Sequence, residues 1–211
     1  MSNPSPPRPR ALKPSQNREK LLQAARELMA GKGYSGTGTE EIVVAAGVTR
    51  GALYYQFVDK RDLFRALCES LWNEVATRIF EETMAGGVAE VDELAVGSAL
   101  LLDCCSEPEI RQLLLIDGPA VLGAEEWRAL QAPVSLGLLR HALEHQVSAG
   151  RIPADQLEPL ADMLFGALCQ AGIAMGNAQD PERVRRSYQR SIDALLVGIG
   201  ASSTRRVASE S

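Results

Sequence analysis

Aromatic residues are scarce in this 211-residue chain: four Phe, four Tyr and two Trp, 5% in all. With 45% apolar residues, rich in Leu and Ala, that balance suits helices better than sheets. No apolar run approaches the ~20 residues a membrane span requires, so no membrane association is expected. The basic N-terminal stretch is not followed by an apolar segment, so no secretory signal is expected there. The four cysteines, Cys68, Cys104, Cys105 and Cys169, follow no framework spacing, which points to a reducing cytoplasm. Histidine is nearly absent as well. His141 and His145 stand four apart, a spacing that can bind a metal from one helix. No HExxH pattern and no clear third ligand accompany them, so no metal site is expected. A Gly-rich phosphate loop, a catalytic-triad spacing and a paired-carboxylate motif are all missing. Enzymatic activity has no positive support, and no cofactor is expected.

Charge is in deficit overall, −5, but unevenly. Residues 1–68 hold eleven Lys and Arg against six Asp and Glu, a balance of +5, and the remainder holds eleven against twenty-one, −10. A basic first third on an acidic remainder is the asymmetry of a DNA-reading head on a body that does not touch DNA. The alternative is an ordinary solvated surface.

The head is organised around residues 39–60, TEEIVVAAGVTRGALYYQFVDK. Thr39 is a good N-cap, with Glu40 and Glu41 in the first turn where the helix dipole favours negative charge. Ile42, Val43 and Ala46 give one apolar face. Gly47 stands where the helix must stop and positive φ is needed. Thr49 is placed to cap a second short helix, which carries Leu53 and Phe57 inward, and Asp59 to cap the next. Helix, glycine turn, helix at this spacing is the helix-turn-helix pattern, whose second helix enters the major groove. Near its start Arg50 can donate two bonds to guanine O6 and N7, while Thr49, Gly51 and Ala52 permit close approach and methyl contacts.

The stretch GYSGTGTEEIVVAAGVTRGALYYQFVDKRDLF resembles the N-terminal domain of TetR-type transcriptional regulators. The resemblance is carried by Gly33-Tyr34, Ala46-Gly47-Val48-Thr49, Leu53-Tyr54-Tyr55-Gln56-Phe57, Asp59-Lys60 and Leu63-Phe64. It covers about the first third of the chain. Val43 stands where such motifs usually carry alanine, and Gln56 where histidine is commoner. The resemblance implies that Thr39, Tyr54, Gln56 and Lys60 contact phosphates, which position the protein without specifying sequence. Tyr55 belongs to the rim of that surface or helps pack the head; both tyrosines have a core reading as the alternative. The fold expected is all-α: a three-helix DNA-binding domain followed by a larger helical ligand-binding and dimerisation domain.

Four segments are expected: a basic, proline-rich disordered arm at 1–14, the helix-turn-helix domain at 15–62, the helical body at 63–201 and a frayed tail at 202–211. A fourth helix from Lys60 to about Met84 links head and body. Further helices are expected over about 88–105, from Pro108, over about 124–149 and over 157–177. DGPAVLG (117–123) reads as a break. Asp180-Pro181 opens the last helix. Leu164, Leu168 and Ala171 on one C-terminal helix and Tyr188, Ile192 and Leu195 on the next can pack with their copies as a four-helix bundle, or close the protomer's own core. The resemblance favours the homodimer. A small-molecule pocket lined by Leu113, Ile116, Trp127, Leu139, Phe165, Leu168 and Met175 would suit an apolar or aromatic effector, with plain core as the alternative.

The function expected is a repressor released from an inverted-repeat operator on double-stranded DNA by such an effector. Two alternatives stand beside it. One is a thiol- or metal-responsive regulator using Cys104, Cys105 or the histidines; the other is a helical carrier or enzyme with an inactive head.

Overall fold

The computed structural model describes residues 14–85, 87–90, 92–131 and 136–199. The proline-rich arm, apart from Pro14, and the 202–211 tail lie outside these residues. Among the described residues every regular element is helical. The chain divides into two units, Met1–Leu67 and Cys68–Ser211.

The first unit is built by α1 (Pro14–Lys32), α2 (Thr39–Ala46), α3 (Arg50–Gln56) and the part of α4 (Lys60–Ala85) up to Leu67. α1 buries Leu21, Ala25 and Met29 against Ile42, Ala46 and Leu53 of the two short helices. The turns between helices are fixed by local chemistry. Gly47 closes α2 at φ 63°, and its N–H donates to the carbonyls of Val43 and Val44. Thr49 caps α3, its hydroxyl oxygen accepting from Ala52 N–H at 3.2 Å. Asp59 accepts from Asp62 N–H at 2.8 Å and starts α4. At α2 the cap is not Thr39 but Gly38, whose N–H donates to Glu41 Oε2 at 3.0 Å. The Glu41 carboxylate thus satisfies the N-cap N–H from within the helix, and Thr39 is the first helical residue. That bond, with Lys32 at 2.7 Å, holds the Glu41 carboxyl below its usual range.

The second unit holds the rest of α4, then α5 (Glu93–Ser106), α6 (Pro108–Ile110), a π-helical segment (Arg111–Asp117), α7 (Gly118–Leu122), α8 (Ala124–Gln131), α9 (Gly137–Ser148), a 3-10 turn (Ala154–Gln156), α10 (Leu157–Gly176) and α11 (Pro181–Gly198). α10 is its central member, packed on α5, α9 and α11. Close approach to α5 depends on Gly172: a Cβ there would lie 2.5 Å from Cys105 Cβ and 2.7 Å from its carbonyl oxygen. Three large rings fill the space beside it, Trp72 lying 5.9 Å from Trp127 and 5.7 Å from Phe165.

Two expectations need correcting. Asp117-Gly118-Pro119 does not break the helix, because the wider π turn absorbs it; the break comes at Gly123, φ 81°. Within the helix expected over 124–149, α8 and α9 are helical, and residues 132–135 between them lie outside the described residues. Ala154–Gly176, 23 residues at mean hydropathy 1.2, is long and apolar enough to cross a membrane by length and composition. Asp155, Glu158 and Asp162 hide this from a search for uninterrupted runs. Leu164, Phe165, Leu168 and Met175 of that stretch are buried within the unit's own core.

Candidate nucleic-acid interface and ligand pocket

α3 turns only Leu53 fully inward. Thr49, Arg50, Gly51, Tyr54 and Tyr55 are exposed, with Ala52 and Gln56 half-buried. Tyr55 is 77% exposed and Tyr54 47%, so neither is a core aromatic. Arg50 pairs with Glu40 at 3.2 Å and lies over the Tyr54 ring, 5.6 Å from its centroid. Both contacts are solvent-exposed and easily exchanged for a nucleic-acid partner. Thr39 is half-buried at the start of α2.

Lys60 is differently placed. Its Nζ donates to the carbonyls of Tyr34 (2.8 Å) and Thr37 (2.7 Å) and lies 4.0 Å from the centre of the Tyr34 ring. These bonds tie the α1–α2 connection to the start of α4. Val44 and Val58 are exposed apolar residues of the same unit that the sequence reading missed.

In the second unit α4, α5 and α9 enclose an apolar pocket of about 50 Å³. Its walls include Trp72, Ile79 and Phe80 of α4, Glu93 and Gly97 of α5, and Leu139 and His141 of α9. The fully buried indole N–H of Trp72 has no hydrogen-bond partner. A second, more open cleft of about 400 Å³ lies between the π segment, α7, α8 and α10, where Trp127, Phe165 and Gly166 meet Arg128 and Asp162. Of the residues expected to line one pocket, Leu139 lines the first, and Trp127 and Phe165 the second. Leu113, Leu168 and Met175 are buried and line neither, while Ile116 is 41% exposed. The sequence assigned no pocket role to α4 or α5, because the α4 stripe reads equally well as a linking helix.

The residues expected at the dimer face differ in exposure. Leu164, Leu168, Ala171 and Ile192 are buried in the protomer's own core, and Tyr188 is half-buried. The α10 residues pack towards α5, α9 and α11, and α11 packs on α5 and α10. Leu195 is exposed, as are Met163 and Val197.

The thiols give little ground for a redox sensor. A hydrogen bond with Cys169, then burial, pushes the Cys105 thiol well above its ordinary range. Burial does the same to Cys68, with Asp117 adding to it. It also raises Cys104, against the opposing pull of the Arg78 guanidinium. None of these three is a ready thiolate.

The exposed α3, capped by Thr49 behind the Gly47 turn, together with a second helical unit that bears a cavity, defines a helix-turn-helix DNA-binding regulator. Residues 21–67 match the family model described as "Bacterial regulatory proteins, tetR family", and residues 91–199 that described as "Tetracyclin repressor-like, C-terminal domain". The chain belongs to the TetR family of transcriptional regulators. The HTH-type transcriptional repressor AcnR of Corynebacterium diphtheriae is 35% identical over 189 residues, 84% of this chain and 92% of that protein. AcnR of Corynebacterium glutamicum is 37% identical over 79 residues, which is 37% of this chain and only 40% of that relative's length. A TetR-family regulator from Pectobacterium atrosepticum shares the fold with a TM-score of 0.74 at 25% identity, over 94% of this chain and 100% of that one. Regulators of this family bind operator DNA as dimers, respond to small molecules and are generally not enzymes.

Proposed function

We propose that this chain acts in the cytoplasm as a homodimeric repressor, binding an inverted repeat through α3 and released by an apolar or aromatic effector. The outward face of α3 carries the reading: a capped seven-residue helix that buries Leu53 and exposes Arg50, Gly51, Tyr54 and Tyr55. Arg50 reads a base edge, Thr49, Gly51 and Ala52 allow close approach, and Thr39, Tyr54, Tyr55 and Gln56 contact the backbone. Two such helices enter successive major grooves when their centres are ~34–36 Å apart. An effector favouring another spacing weakens operator binding by its differential affinity for the two states.

The α4–α5–α9 pocket is the effector site in this reading. Its walls are almost wholly apolar, and the unpartnered Trp72 N–H favours a ligand that carries one acceptor. At about 50 Å³ it must open for a ligand, since drug-sized molecules occupy ~300–1,000 Å³.

Selection of bound fragments from a random double-stranded pool at two salt concentrations tests the DNA reading. An enriched inverted repeat supports it; salt-sensitive binding without an enriched sequence refutes specific reading. The recovered operator then serves as probe in an effector screen. Gly97→Val, whose Cβ meets open space, should blunt effector release, whereas Gly166→Val in the open cleft should not. The reverse pattern would move the effector to the cleft.

A further inference from the structure

The pocket wall contains a cluster that pocket formation does not explain. Glu93, at the start of α5, is only 8% exposed, an unusual burial for a carboxylate. From α9, His141 and His145 present their rings together, with centroids 4.6 Å apart. One potential ligand atom from each of the three lies within 4.8 Å of the other two. His145 Nδ1 is 2.8 Å from Glu93 Oε2, yet it is not aligned as a hydrogen bond and remains a buried ring nitrogen without a partner. A carboxylate–imidazolium pair would account for Glu93 and His145 but leaves that misalignment, and the neighbouring His141, unexplained.

We propose that Glu93, His141 and His145 form a binding site for a divalent first-row transition metal of the Zn2+ type. Two imidazoles and one carboxylate are a fitting donor set for such an ion. Ligand atoms ~2.1 Å from a tetrahedral ion stand about 3.4 Å apart, so small side-chain rotations close the present 4.8 Å cluster. Three protein ligands leave a fourth position, and because Glu93 and His141 also line the apolar pocket, that position is reachable from the pocket. The i,i+4 pair was legible in the sequence; its third ligand, 48 and 52 residues earlier, was not. The site is independent of the effector reading, since an ion can bind here whether or not the pocket takes an organic ligand.

Tag-free, chelator-stripped, full-length protein titrated with Co2+ tests the proposal. The expected result is one ion per chain, a visible d–d band without thiolate charge transfer, and a raised melting temperature with Co2+ or Zn2+. His141 is exposed, so His141→Ala should keep its helical signal while weakening metal binding at least tenfold. Glu93→Gln should act likewise. No band and no stabilisation at excess metal would overturn the site. So would a thiolate band, or binding unchanged in His141→Ala, since either places the ion elsewhere.

Discussion

Arg50 and Lys60 carry the same charge and differ in what already occupies it. The Arg50 side chain is 68% exposed, and its exposed pairing with Glu40 is worth only ~0–1 kcal/mol, so DNA can take it over. Lys60 serves two carbonyls and a ring, and giving these up would unpair polar backbone. Arg50→Ala should therefore relax preference at one base position by ~1–3 kcal/mol, measured by competition among operators with single substitutions, without lowering the melting temperature. Selectivity unchanged in the mutant would remove Arg50 from base reading. Lys60→Met should do the opposite: a lower melting temperature, with little change in the salt slope of DNA binding. A slope shallower by ~1 at unchanged stability would instead return Lys60 to a phosphate. The charge of Lys60 was legible in the sequence. Its carbonyl partners, 26 and 23 residues earlier, were not, because no periodicity links a side chain to a distant turn.

Element boundaries were readable wherever a side chain or glycine encodes them locally. Gly47, Thr49, Asp59 and the Asp180-Pro181 start all act where the sequence put them, Asp180 accepting from Arg183 N–H at 3.0 Å. What failed was the inference from Gly118-Pro119 to a break, since the π turn before it, in which Gly118 N–H donates to the Leu113 carbonyl, carries the chain into α7. The glycines of α10 likewise look alike in sequence and differ in place. Gly172 meets Cys105 backbone, where no flexible group can yield, while a Cβ at Gly166 meets nothing within 4 Å. Gly172→Ala should force α10 from α5 and cost ~1–3 kcal/mol, the usual penalty of overpacking. Gly166→Ala should stabilise by up to ~1 kcal/mol, because alanine restricts the unfolded chain and favours the helix. Thermal unfolding of the two single variants should move in opposite directions. Equal destabilisation would mean that Gly166 also faces a tightly packed surface.

At the scale of the whole molecule, the charge division suits the proposed dimer, in which two basic heads share an acidic body. The basic balance of +5 in residues 1–68 attracts the phosphate backbone, and the −10 of the remainder discourages the body from lying on DNA. In the proposed dimer two heads read two half-sites, which would make affinity for an inverted repeat a property of the pair. The amphipathic stripes of the last two helices were legible, but a stripe does not say which neighbour covers it. In α10 the stripe is spent on α5 and α9, so the surface open to a second copy carries Met163, 70% exposed, with Leu195, 53% exposed, on α11. Leu195→Glu should therefore leave the protomer folded, since that side chain supports no core, while placing a charge where two copies would bury apolar surface. Sedimentation should show the variant shifting to monomer. Binding to the full inverted repeat should fall towards that for a single half-site. A Leu195→Glu protein that remains a dimer with unchanged operator affinity would show that the copies meet on another face.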